Sequence, residues 1–344
     1  MKRTLILFLL IVTSIFYGCK KHQDFNVEII EDKEPKELLI SKKQKIAAEC
    51  LLPIMISIVK DKLVIYNKVK ENTFSVFDLN DYTLLYQFGN FGRGPEEFQF
   101  INTNSVREYK GNLTLLDRYR FKKINLGTKK MNIVSATLIP TKVSDLSGFT
   151  LIDDSLFISD NRSIKTNDEI FSQSLLNDDR KVGISTFPYF NDKINSDQIK
   201  RENITAKSMA SRRSDGRICL LYSYMHRLKI FTKDGKKIND VSIGPLLTVQ
   251  GDFDVENAKL FTGQVYVSDN YIYGLNINAK EDELFVGKNR KPLLEIWDWE
   301  GNLINIYALD EEILGFCVSE ENKKIYATTL NYTNQILIYD LPKF

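Results

Sequence analysis

From about residue 50 to the C-terminus the chain alternates short runs of β-branched and aromatic residues with clusters of Asp, Asn, Gly and Lys. Such runs read as strands bounded by turns, and helical spacing is scarce. One unit recurs. It has an apolar strand, a tight polar turn, and a second strand ending in Asp or Asn. A short loop, a third strand ending in a turn residue and a last strand complete it. PIMISIV, KLVIYN, TFSVFD and YTLLYQF within residues 53–88 show the whole unit. Further copies occupy 103–139, 149–185, 207–244, 263–309 and 311–344. The third-strand ends set the register at Asp78, Asn125, Asn177, Thr232, Asp298 and Asp340, with spacings of 47, 52, 55, 66 and 42 residues. Four strands at this period predict the blades of a β-propeller. The longer intervals carry insertions near 188–204, 248–258 and 279–291.

The sixth copy ends at its third strand, with Phe344. The stretch around 36–47, which contains ELLIS and QKIAA, has no partner of its own. A ring closes when one terminus completes the blade begun by the other, which removes an open edge. The expected fold is therefore all-β, a six-bladed β-propeller whose last blade is closed by an N-terminal strand. Removing residues 25–48 is expected to abolish cooperative folding. The expected organisation is an export signal over 1–18, a polar tether over 19–36 and one propeller domain over 37–344.

The first residues read MKRTLILFLLIVTSIFYGC. Lys2 and Arg3 form a basic start, and the apolar run after them is too short for a comfortable membrane span of roughly 20 residues. The ending Phe16-Tyr17-Gly18-Cys19 resembles a lipobox, and its looseness resembles lipoproteins of Bacteroidota. Cys19 is then the lipidated residue, and the membrane is a partner through that anchor. Lys20-Lys21-His22-Gln23 carries no acidic cluster. The surface-export signal of Bacteroidota resembles such a cluster, so the expected place is the periplasmic side of the outer membrane.

Between the first two copies lies FGNFGRGPEEF, in which Gly89, Gly92, Gly94, Pro95, Glu97 and Phe98 give G-x-x-G-x-G-P-x-E-F. This resembles the inter-blade segment of NHL-type repeats, and more closely that of the TolB-like six-bladed propeller lipoproteins of Bacteroidota. The sharp motif occurs once, and Gly244-Pro245 is a remnant of it. Read physically, the glycines permit a tight crossover between blades. Glu97 is placed to accept loop N–H groups, and Phe98 to plug the gap between blades. A phosphate cradle would need a following helix, which is not expected here. Arg93 is the loop residue most free to project.

Composition narrows the chemistry. The 344 residues hold 47 Lys and Arg against 45 Asp and Glu. Removal of Lys2 and Arg3 with the signal leaves the exported chain formally neutral, and no nucleic-acid partner is expected. Two His and four scattered Cys exclude a three-His zinc site and show no C-x-x-C pair. Cys50, Cys219 and Cys317 sit in apolar contexts and read as buried thiols.

Residues ending the second strands should surround one mouth of the channel. They are Asn67 and Lys68; Asp117, Arg118 and Arg120; Asp160, Asn161 and Arg162; Tyr224, His226 and Arg227; Asn276 and Asn278; and Asn331. For each residue taken alone, the alternative is a turn residue that bonds its own backbone. As a set they suit a polar or anionic ligand, a glycan or a peptide terminus, with Arg118, Arg162 and Arg227 giving bidentate contacts. No Gly-x-Ser-x-Gly elbow accompanies His226. Trp297 and Trp299 read as blade packing.

The expected role is a non-catalytic binding or scaffolding module, monomeric and without cofactor, for a small ligand or an envelope protein. The alternative is a calcium-dependent hydrolase or lactonase, in which Asn161 and Asn276 with Asp117 or Asp160 would supply an oxygen site.

Overall fold

The computed structural model describes residues 27–94, 96–139, 148–160, 167–175, 181–188, 197–244, 258–280, 283 and 291–344. The repeated copies form six antiparallel sheets, each ordered as its strands occur in the sequence. Blade one comprises Pro53–Val59, Lys62–Asn67, Phe74–Asp78 and Leu84–Phe88. The first strands of successive blades pack on one another, and that of blade six returns to that of blade one. The six-bladed ring is thus closed.

Turn chemistry holds the register. Tyr109 pairs with Asn112, which leaves Lys110 and Gly111 as a two-residue hairpin. Their φ values of 48° and 73° are those of a type I′ turn, where glycine carries no Cβ penalty. Third strands end at Asp78, Asp298 and Asp340 as expected, and within one residue of Asn125 and Thr232. In blade three the third strand ends at Ser174, three residues before the expected Asn177, which itself lies outside the described residues. At the end of the fifth blade's third strand, Asp298 Oδ1 accepts the N–H groups of Glu300 (3.0 Å) and Asn302 (2.8 Å).

Alternation along each strand sends apolar side chains to both sheet faces, so the core lies between blades. Val64 and Val76 of blade one meet Leu113 and Ile124 of blade two. Leu63, Ile65 and Phe77 on the other face of blade one meet Cys317, Ile336 and Ile338 of blade six. Trp297 and Trp299 are fully buried in blade five. Cys50, Cys219 and Cys317 are buried free thiols.

The N-terminal segment does more than close the ring. Strand β1 (Glu28–Ile30) runs parallel along Val241–Ile243, on the outer edge of blade four. Strand β2 (Leu38–Leu39) lies parallel to Ala308–Leu309 on blade five. Strand β3 (Lys42–Lys45) pairs antiparallel with Gln335–Ile338 as the fourth strand of blade six. The stretch read as a tether over 19–36 is therefore docked from Glu28 onward. An outer edge demands little more than backbone N–H and C=O groups, so the charged composition of this stretch did not reveal it. Ile30 alone reaches the core of blades four and five.

Candidate functional site

The glycine-rich crossover is a built loop. Gly89 has φ of +86°, and a Cβ there would sit 3.0 Å from the Phe98 ring. Phe98 is fully buried, its ring centroid 5.7 Å from that of Phe74 and 6.5 Å from that of Phe88. Glu97 folds back so that Oε2 accepts the Gly94 N–H (2.7 Å), and a Cβ on Gly92 would collide with its carboxylate. Blade two clamps the loop from outside. Lys122 donates to the Glu97 carbonyl (2.7 Å) and lies 4.3 Å from the Phe98 ring centroid. Asp117 pairs with Lys122 (2.9 Å) and accepts the Gln99 and Phe100 N–H groups, each at 2.8 Å. Asp117 is thereby committed to the loop. Arg93 is exposed, and Pro95 lies outside the described residues.

The other nominated residues divide. Lys68, Arg118, Arg120 and Asn331 are exposed. Asn67 is buried and accepts the Leu52 N–H (2.6 Å), while Asp160 accepts that of Gly148 (3.1 Å). Arg118 stands in a turn with φ of +56° and donates to Gln99 (3.1 Å). Arg227 does not share its place. It opens a strand, is buried, and donates to both oxygens of Asp240 at 2.7 and 2.9 Å. Asn161, Arg162 and Cys19 lie outside the described residues, as does the Asn278 side chain. Tyr224 is half-buried.

His226 and Asn276 do come together, at the seam of blades four and five. Both donate to Glu295 Oε1 at 2.6 Å, Trp297 donates to Oε2 (3.3 Å), and the His226 ring stacks on Phe261 at 4.7 Å. A second buried cluster joins blades three and four. Glu169 accepts from Tyr222 (2.5 Å), Ser185 (3.1 Å), Lys207 (3.1 Å) and Lys229 (3.1 Å). Burial alone would raise its carboxyl. The two ammonium groups and the Tyr222 hydroxyl overcome that and hold it down at about 2.

The partly enclosed space is elsewhere. A cavity of about 220 Å³ follows the axis along the first strands of all six blades. None of the described residues nominated from the second-strand ends lines it. Its walls carry Ser57, Thr103, Asn104, Thr150, Ser208, Ser211 and Gln264 among aliphatic and aromatic groups. Arg107 reaches into it from blade two. Asn102 pairs with Leu116 and Arg107 with Thr114, so an extended bulge lies between those two pairs. Ser105 patches the bulge by accepting the Leu116 N–H (2.7 Å) and donating to the Asn102 carbonyl (2.5 Å). Bulges of this kind re-aim side chains.

Arg107 crosses to blades three and four, where it donates to the Thr150 hydroxyl (3.4 Å) and the Met209 carbonyl. Desolvation pulls its guanidinium down to about 10, and no described carboxylate pairs with it. Glu108 turns the other way, to Arg213 and to the Gly111 N–H (2.6 Å). Gln264 binds blade six by accepting the Phe316 N–H (2.9 Å).

This geometry has relatives. The family model for TolB-like 6-blade propeller-like proteins matches residues 31–321. The chain belongs to the TolB-like six-bladed propellers. Two crystal structures share the fold. One is a Bacteroides fragilis protein described as exported, 12% identical with a TM-score of 0.56, covering 92% of this chain and 99% of that one. The other is a DUF4221 family member from Bacteroides vulgatus, 11% identical with a TM-score of 0.58, covering 92% and 98%. No curated protein matches.

In this TolB-like ring the functional polar groups missed from sequence share one signal. Arg107 in SVREY, Glu169 in DEIF, Lys229 in RLKIF and Glu295 in LLEIW are charges inside apolar strands. A charge there must be paired or must face a cavity; Glu169 and Lys229 pair with each other, Glu295 bonds His226, and Arg107 has no described acidic partner. Of the oxygen set considered for calcium, Asp117 holds the loop, and Asn276 donates to Glu295 through its amide nitrogen while its buried Oδ1 has no partner. Asp160 accepts the Gly148 N–H, and Asn161 lies outside the described residues. Among the described residues no three His, Cys, Asp or Glu side chains converge.

Proposed function

We propose that this propeller is a lipid-anchored, non-catalytic binding module of the bacterial envelope, with its ligand site in the axial channel. One observation carries the reading. Arg107 is half-buried in a partly open cavity of mixed polar and apolar lining, and is bonded there only to neutral oxygens. A desolvated cation without a counter-charge favours an anionic guest. The exposed Arg93 and Arg118 offer a separate platform for an envelope protein.

The anchor reading rests on Cys19 behind a basic, apolar leader. The absence of an acidic cluster after it favours the periplasmic leaflet of the outer membrane. Two experiments test the proposal. The variant Cys19→Ala should leave the membrane fraction, and persistence there would refute lipid attachment. The purified native chain, incubated with envelope extract, re-isolated and unfolded, should release a small anion detectable by mass spectrometry. Release of no anion would refute the channel as a site.

A further inference from the structure

The channel's lining also says what kind of anion it takes. Beside Arg107 the wall carries hydroxyl and amide groups, Thr150 from blade three, Ser208 and Ser211 from blade four, and Gln264 from blade five, together with the charged Glu108, Arg212 and Arg213. The hydroxyl and amide groups come from the consecutive blades three, four and five, so with Arg107 of blade two they form one continuous polar arc of the channel wall. Two of the five guanidinium N–H donors of Arg107 bond Thr150 and Met209. A second arginine adds an unmet donor. Arg212 lines the same cavity, packs over Trp299 at 5.7 Å and reaches Asp215 at 3.4 Å, while its buried Nε has no partner.

Among the described residues the one carboxylate on the cavity wall is Glu108, and it is held by Arg213. The cavity of about 220 Å³ has the scale of one small ring and is well below that of a drug-sized ligand. Thr150 accepts from Arg107, Ser211 donates to the Leu151 carbonyl and Gln264 Oε1 accepts the Phe316 N–H. What stays open is mainly hydroxyl lone pairs, which a fully ionised inorganic anion cannot use, together with Ser208 and the Gln264 amide N–H donors. An aliphatic acid would bury them against hydrocarbon, which is unfavourable for unpaired polar groups.

We infer that the channel binds a small polyhydroxylated monocarboxylate, a sugar acid, with its carboxylate on Arg107 and its hydroxyls on Thr150, Ser208, Ser211 and Gln264. This rests on the proposal that the channel is an anion site and adds the chemical class of the guest. A free sugar acid and the acidic end of a polysaccharide share this chemistry.

The test is calorimetric titration of the full mature chain with four probes: glucuronate, glucose, hexanoate and inorganic phosphate. Glucuronate should bind, and glucose and hexanoate should each be weaker by roughly tenfold to a hundredfold, the worth of charge-assisted hydrogen bonds and of a matched hydroxyl set. Arg107→Ala should lose glucuronate, and Ser208→Ala should weaken glucuronate while leaving hexanoate unchanged. Arg107 also ties blades two, three and four, so its removal risks the fold. The glucose and glucuronate comparison on the unmodified chain decides the matter in that case.

Hexanoate or phosphate binding as tightly as glucuronate would overturn the sugar-acid assignment and leave the anion site standing. Failure of every anion would overturn both. A short oligogalacturonate binding more tightly than the free acid would assign the polysaccharide end, and the reverse would assign the free acid.

Discussion

Changing Glu169 to Gln should destabilise the propeller by about 3 kcal/mol at neutral pH. The carboxylate is wholly buried between blades three and four, and both of its oxygens are taken by Lys207, Lys229, Tyr222 and Ser185. Its proton affinity is lowered from the ordinary 4.5 to about 2. At ~1.4 kcal/mol per pKa unit this corresponds to roughly 3 kcal/mol of native-state stabilisation. Part is offset already, because burial pushes the Lys229 ammonium down against the pull of Glu169. The substitution keeps the shape and removes the charge, so two buried ammonium groups lose their counter-ion, a loss usually worth ~3–5 kcal/mol.

The folded-state value lies below the unfolded one. The increment is therefore complete above about pH 4.5 and disappears as the pH falls toward 2. Urea unfolding followed by tryptophan fluorescence is a suitable assay, because Trp297 and Trp299 are buried in blade five and are the chain's two tryptophans. The native chain should lose stability across that acid range, and Glu169→Gln should lack this limb. A shift smaller than about 0.5 kcal/mol at pH 7, or an unchanged acid limb, would show that the cluster is electrostatically neutral to folding.

Other outcomes follow from packing and burial. Phe98→Ala should cost about 3–5 kcal/mol in the same assay, because its ring fills a closed gap beside Phe74 and Phe88. Asp117→Asn should destabilise by about 3 kcal/mol through the buried, unpaired Lys122, and should raise protease cleavage in the glycine-rich loop. In the Cys19→Ala chain a thiol reagent at pH 8 should find nothing to modify until unfolding, when three thiols appear. Burial lifts Cys50 to about 11 and Cys219 to about 12, which leaves little thiolate. Deleting residues 25–48 should remove the cooperative transition altogether, which circular dichroism on heating would report.

The blade pattern was readable because strand, turn and period agree at every copy. Asp78 and Asp298 end strands for the same local reason, a carboxylate that ties its own turn, whereas Asp340 pairs across the hairpin with Lys324. The site is less legible, because polar residues at second-strand ends can serve either as a ligand face or as ties for their own turns and loops. Residues such as Asn67 and Asp117 are turn and loop ties, and they reveal themselves only when their acceptors are placed. Arg107 is hidden by its setting. It stands in a strand whose bulge breaks the alternation, so no count of in-and-out positions puts it on the axis. The strands β1 and β2 are mostly apolar, EII and LL, but three and two residues are too few to show a period, and parallel edge pairing asks mainly for backbone.

The belt formed by β1, β2 and β3 fixes an order of events. Lys45 pairs with Gln335, 290 residues later, so the strand made early in synthesis waits for almost the last one. Contacts this distant are slow to form. Until they do, the third strand of blade six presents an open edge able to recruit another chain. Closure is therefore the kinetically exposed moment of this molecule. Lys42, Lys43 and Lys45, charges spaced along that strand, are suited to keep it from pairing with the wrong edge while it waits.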